Sequence, residues 1–208
     1  MAGNALRCMA KYLYDNHIVS KEEMTIETDK GTKTVQVYTT NGKVTSACVD
    51  MGYATLDTSA LHLNIPKRYV VDYPVEIGGE TWNITCVDMG NPHCVVFCPR
   101  VDGVDVGRIG PQFEHASYFP DRINTEFIRV VNPSTIKMRV WERGSGETMA
   151  CGTGACAAVV AAVAAGQCEQ GRDITVRVRG GDLVVNYTDE AVTLTGDAKL
   201  VYTGTVEY

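Results

Sequence analysis

Residues 142–165 constrain the fold more than any other stretch of the chain. The run Glu142-Arg143-Gly144-Ser145-Gly146-Glu147-Thr148-Met149-Ala150-Cys151-Gly152-Thr153-Gly154-Ala155-Cys156-Ala157 begins as a charged, glycine-punctuated loop and passes into small apolar residues through Ala165. Glycine lets the backbone adopt positive φ or approach a neighbour closely, and the small residues that follow read as a helix. Free N–H groups at that helix start, near Cys151, would bind an anion and favour a thiolate over a thiol. Cys151 is therefore a candidate base or nucleophile, and a carboxylate is a candidate ligand of the same amides. A tight turn opening a buried helix, with Cys151 as a small packing residue, accounts for the same pattern.

The rest of the chain is strand-rich around two helices. Leu6, Met9, Ala10 and Leu13 recur at helical spacing, with Gly3-Asn4 as the preceding turn and Asn4 as the expected N-cap. A domain seldom starts on the cap of a helix, so a preceding stretch is expected. From Met24 the period becomes two. Residues 24–28 and 33–38 read as a hairpin, Asn41-Gly42 as a turn, and residues 44–51, 75–77 and 82–87 as strands, the last two joined by Gly78-Gly79. Gly90-Asn91-Pro92 is a turn, extended at Asn91 because the residue before proline avoids the helical region. It sets Asn91 and His93 at the mouth of a buried strand, although a histidine at a strand start is more often structural. Residues 105–112 suggest a short helix capped at Asp105. Two strands follow, 124–131 with Asn124 at its entrance and 135–141, which delivers Glu142-Arg143 to the glycine loop. Strands at 174–178, 183–187, 191–195 and 198–202 complete a meander with turns at Gly180-Gly181 and Gly196. A short echo joins the two ends of the chain. Residues 2–10 lie on residues 151–159 as small residue, glycine, capping residue, small residue, helix, which suggests two related halves whose helix starts face one cleft.

Composition narrows the function. A net charge of −6 without a basic run argues against nucleic acid. The most apolar run, residues 156–165, is well short of the ~20 residues a bilayer needs, so no membrane span is expected. Eight cysteines lack any C-x-x-C pair, which argues against a metal site, and a chain of 208 residues that is 45% hydrophobic has no need of disulfides. A reducing, cytoplasmic setting is expected.

Four segments carry a resemblance to diaminopimelate epimerase, of the cofactor-independent amino-acid racemase and epimerase group. They are Met1-Ala2-Gly3-Asn4-Ala5-Leu6-Arg7-Cys8, Met89-Gly90-Asn91-Pro92-His93-Cys94, Arg122-Ile123-Asn124-Thr125-Glu126-Phe127 and the long run from Glu142 to Ala157. The resemblance spans essentially the whole chain. It implies an α/β (α+β) fold of two pseudo-symmetric lobes, each a barrel-like sheet around a central helix. Residues 1–50, with a returning strand at 197–208, would be the remainder of the first lobe, and residues 51–196 the second. The implied reaction inverts the α-carbon of LL-diaminopimelate to the meso form, in lysine and peptidoglycan precursor synthesis, without pyridoxal phosphate or any other cofactor. One cysteine thiolate removes the proton and a second cysteine thiol delivers one to the opposite face, each needing a lowered, matched pKa. By the resemblance Cys151 is one of this pair, with His93 and Glu142 near the thiols. Gly3, Asn4, Gly152 and Thr153 would contact the carboxylate, and Asn91, Asn124, Glu142 and Arg143 the polar ends of the substrate.

Two departures qualify it. The family's motif at the chain start reads Met-Cys-Gly-Asn, and here Ala2 stands where the second cysteine belongs. A further N-terminal stretch of the family's first lobe is absent from this sequence, and a half-built lobe would leave apolar strand faces exposed, which invites a homodimer. The expected result is an impaired epimerase. Three other readings are a non-catalytic amino-acid-binding relative, a proline-type racemase, and a thiol hydrolase with Cys151 as nucleophile and His93 as base.

Overall fold

The computed structural model describes residues 3–29 and 31–207. Helix α1 (Gly3–Asp15) is amphipathic, with Leu6 and Ala10 buried and Met9 and Tyr12 exposed. Asn4, expected as its cap, lies inside its first turn. Strands β1 (Glu23–Thr28), β2 (Gly31–Thr40) and β3 (Lys43–Gly52) follow as an antiparallel meander. The turn from β2 to β3 holds Asn41 at φ 53 and Gly42 at φ 73, the two positive values that a tight hairpin requires.

After a 3-10 turn at Thr58–Ala60 come β4 (Tyr73–Ile77), β5 (Glu80–Asp88) and β6 (Pro92–Phe97). Helix α2 (Val106–Glu114) starts as expected at Asp105, whose side chain accepts from Arg108 N at 3.2 Å. Then come β7 (Asn124–Asn132), β8 (Thr135–Glu142), the short β9 (Gly146–Thr148), helix α3 (Gly152–Ala164), β10 (Asp173–Val178), β11 (Gly181–Tyr187) and β12 (Val192–Asp197).

The fold is mixed α/β. One twelve-stranded sheet runs in the order β1-β2-β3-β12-β11-β10-β8-β7-β6-β5-β4, with β9 paired to β8. It is antiparallel except at β6/β7 and β8/β10. Every residue of α3 from Thr153 to Ala162 is buried, because strands from β5 to β12 pack around it. A helix apolar on all sides can be stable only if so enclosed, and its alanines let the strands come close. A second apolar cluster lies under α2, where Trp82, Phe113 and Phe127 meet edge to face at centroid distances of 5.5–6.3 Å. No helix among the described residues is long and apolar enough to cross a membrane.

One expected strand does not form. Residues 198–202 are irregular, with Leu200, Val201 and Tyr202 largely exposed. The strand that returns to β3 is β12, ending at Asp197, and both of its edges are taken by β3 and β11. The ladder with β3 stops at Asp197–Ser46, short of the β3 start at Lys43, and residues 198–202 leave the sheet there. Gly196, expected at a turn, sits inside β12. A Cβ there would come within 2.8 Å of Leu183 and 3.0 Å of Arg7, so glycine serves close approach.

Candidate active site

The loop from β8 to α3 divides its glycines between two tasks. Gly144 and Gly146, both at φ 79, reverse the chain after Glu142. Gly152 and Gly154 have no such φ and are set by contact. A Cβ on Gly152 would lie 3.0 Å from Leu194 Cδ2, and one on Gly154 would lie 2.5 Å from Glu126 Oε1. Gly3, at the start of α1, faces the same Leu194 Cδ2 at 3.2 Å by the same measure. The first turns of α1 and α3 therefore converge on one side chain of β12, as the sequence echo suggests.

Cys151 is the N-cap of α3. Its Sγ accepts from Gly154 N at 3.4 Å, lies 3.6 Å from Thr153 Oγ1 and is almost fully buried. A cavity of about 240 Å3 beside it is lined by Gly3, Asn4, Arg7, Asn91, Glu142, Ala150, Cys151, Gly152, Thr153 and Leu183. Seven of the residues singled out in the sequence thus share one wall. Asn91 donates to Thr153 Oγ1 at 3.4 Å, and Glu142 accepts from Thr148 Oγ1.

The other three lie around it. Arg143 lines an adjoining cavity of about 250 Å3, which shares Asn91 and includes His62, Asp121 and Arg122. Its guanidinium donates to Asp121 O at 3.0 Å. Asn124 is buried and lines neither cavity. Its amide donates to Pro92 O at 2.8 Å and accepts from Arg143 N at 3.0 Å, so it ties the Asn91 turn to the glycine loop. His93 is fully buried, with Nδ1 2.7 Å from Glu126 Oε1. Ala2 lies outside the described residues.

Two residues of the site were passed over in the sequence. Arg7 is buried, lines the cavity and donates from Nε to Asp197 O at 3.3 Å, placing a cation beside the helix starts. Glu126 is a fully buried carboxylate under α3. The signal for it was an acidic residue beside the apolar Phe127 and Ile128 of β7.

The electrostatics overturn one expectation. The Cys151 thiol is not held low by its helix terminus but pushed up to about 12, first by burial and then by the carboxylates of Glu126 and Glu142. The bonds from Thr153 and Gly154 N favour the thiolate and are outweighed. Nor is there the Cys–His contact a thiol hydrolase needs, since Sγ meets Thr153 and Gly154 while His93 Nδ1 meets Glu126. Among the described residues, no group of three or more His, Cys, Asp or Glu side chains is placed to hold a metal ion.

Comparison with known proteins places these residues in context. Residues 85–206 match the family model of diaminopimelate epimerase. The chain is 45% identical over 214 residues to a curated diaminopimelate epimerase of Desulfovibrio desulfuricans, covering 98% of this chain and 73% of that relative. The chain belongs to the diaminopimelate epimerase family. A second diaminopimelate epimerase, from Acetivibrio thermocellus, is 44% identical over 209 residues, covering 100% of this chain and 74% of its own length. Among solved structures, a probable proline racemase from Agrobacterium radiobacter K84 superposes with a TM-score of 0.69 at 15% identity, covering 95% of this chain and 65% of that one. The diaminopimelate epimerase family and that racemase share this fold.

Proposed function

We propose that this chain acts on diaminopimelate by proton transfer at the α-carbon, with Cys151 as one of the two bases of a cofactor-independent epimerase. The observation that carries the reading is the convergence of Cys151 and two helix starts on one polar cavity. The amides of Gly3, Asn4, Gly152 and Thr153 are placed to take the α-carboxylate and the negative charge that grows on it as the proton leaves. Glu142 takes the α-ammonium. That cation offsets one of the two carboxylates holding the Cys151 proton, so substrate itself brings the thiol toward the thiolate. Asn91 joins this cavity to the one containing Arg143, with Asn124 bracing both. A second polar cavity favours a substrate with a second charged end, as in diaminopimelate, over proline. His93 serves behind the Cys151 thiol. The substrate and the cysteine usage point to the cytosol, and the exposed Met9 and Tyr12 of α1 support association as a homodimer.

Cys151 as thiolate takes the α-proton and leaves a carbanion delocalised into the carboxylate. Inversion requires a proton delivered to the opposite face, and Ala2 has none to give. The chain as it stands thus exchanges the α-proton while inverting poorly. Solvent deuterium incorporation into LL- and meso-diaminopimelate, read by mass spectrometry, tests this. Exchange without inversion, lost in Cys151→Ser, is the expected result. Absence of exchange from the folded, substrate-bound protein would remove Cys151 as a working base, and full inversion would remove the impairment.

A further inference from the structure

Among the described residues Glu126 is the carboxylate fully buried beneath the site, and it lies against both His93 and the first turn of α3 that Cys151 caps. It lies on β7 at a position fully removed from solvent. The parallel register pairs His93 of β6 with Asn124, so Glu126 sits one inward-facing position further along β7 from His93's own partner. Its Oε1 meets His93 Nδ1 at 2.7 Å. An ionised carboxylate oxygen only accepts, so with Glu126 ionised the contact calls for a proton on Nδ1 of the imidazole. Among the described residues His93 Nε2 and Glu126 Oε2 have no hydrogen-bond partner. The same Oε1 lies so near the first turn of α3 that a Cβ on Gly154 would come within 2.5 Å of it, and it is Gly154 whose N–H points at Cys151 Sγ.

We propose that Glu126 is a positioning residue that fixes His93 in its Nδ1–H tautomer and, from beneath α3, holds Cys151 in the thiol form until substrate arrives. The inference rests on the reading of Cys151 as the base, and extends it to a buried residue that touches no substrate. The groups facing Cys151 from each packed element are Glu126 of β7, Glu142 of β8, Arg7 of α1 and Cys156 one turn along α3, with His93 of β6 behind Glu126. Glu126 and Glu142 oppose the thiolate, and the bonds from Thr153 and Gly154 N favour it. Glu142 is open to neutralisation by a bound ammonium, whereas Glu126 is sealed off. Its charge is the fixed part of the bias, and that of Glu142 the part substrate can cancel.

The test needs no turnover. Alkylation of Cys151 by iodoacetamide, followed by peptide mass spectrometry across a pH series, reports the thiolate directly. Glu126→Gln removes one like charge, so the Cys151 profile moves to lower pH and the rate at a fixed pH below the transition rises by about tenfold. Glu147→Gln is the control, since Glu147 of β9 is paired with Arg139 and Arg179 and is not among the carboxylates acting on Cys151. It leaves the profile in place. Long-range 1H–15N spectra of the unaltered protein read the His93 tautomer, which is expected to be Nδ1–H. An unmoved alkylation profile in folded Glu126→Gln, or an Nε2–H His93 in the unaltered chain, overturns the proposal. If the variant does not fold, the imidazole spectrum still decides. A failed deuterium exchange alongside a shifted alkylation profile would sink the reading of Cys151 as the base and the part given to substrate, while leaving the hold of Glu126 on the Cys151 proton.

Discussion

Helices α1 and α3 start against the same leucine yet differ in everything beyond their first turn. Helix α3 is ringed by strands and carries no charged residue, only alanine, valine, cysteine, glycine and threonine. Helix α1 rests on β2, β3 and β12 by one side. The other bears Met9 and Tyr12, while a Lys11–Asp15 pair at 2.7 Å docks on the backbone of Val44 in β3. The equivalent starts make the cleft, while the unequal bodies make different contributions to stability. On the proposed reading the chemistry is shared between the helices, while the core belongs mainly to α3.

The sharpest way to break this comparison is to make the two starts equal. Ala2→Cys supplies the missing thiol, and a positioned acid of this kind contributes about a hundredfold or more to rate. Conversion of LL- to meso-diaminopimelate, followed by chiral separation, should rise by that factor. A folded variant inverting no better than the parent would show that the α1 start is not the second half of the site.

A smaller effect separates the first turns. Gly154→Ala drives a methyl into Glu126, which its bond to His93 prevents from swinging aside, and should cost roughly 1–3 kcal/mol in guanidinium unfolding. Its counterpart in the echo is the exposed Ala5, where Ala5→Gly should cost no more than about 1 kcal/mol of helix propensity. Equal losses would erase the contrast in burial.

The mildest test is the pH dependence of stability. The Cys151 thiol ionises near 9 when unexceptional and at about 12 in the fold. The unfolded chain therefore loses this proton first, and the contribution, intact below about pH 9, falls away as pH climbs through 12. Thermal melts across that range should show a shallower decline in Cys151→Ser than in the parent.

Local pattern made much of this legible. The small apolar run announced a buried helix, Asn41-Gly42 a tight hairpin and Asp105 a cap, because each rests on chemistry within a few residues. The site candidates followed from the loop and from the family resemblance. What failed depended on distant partners. Residues 198–202 have strand-forming side chains, but the ladder with β3 ends at Asp197–Ser46, a stop that their local pattern does not mark. Gly196 looked like a turn because the side chains of Arg7 and Leu183 that crowd it are remote in sequence. Glu126 was overlooked because its importance lies in the register of β6 against β7. The Cys151 shift depends on two carboxylates delivered by separate strands, which no reading of the helix start alone can supply.

Leu194 carries a consequence of its own. Because it fills the space against Gly3 and Gly152 together, it acts as a shim between the two walls of the cleft. Its strand is the seam where β3 meets β11, so the width of that gap is written into the backbone of the sheet. On the proposed reading, reach across the reacting carbon is therefore inherited by both walls at once. A change of substrate size would have to be made at this leucine or at the far cavity, since neither helix can retreat without the other losing its stop.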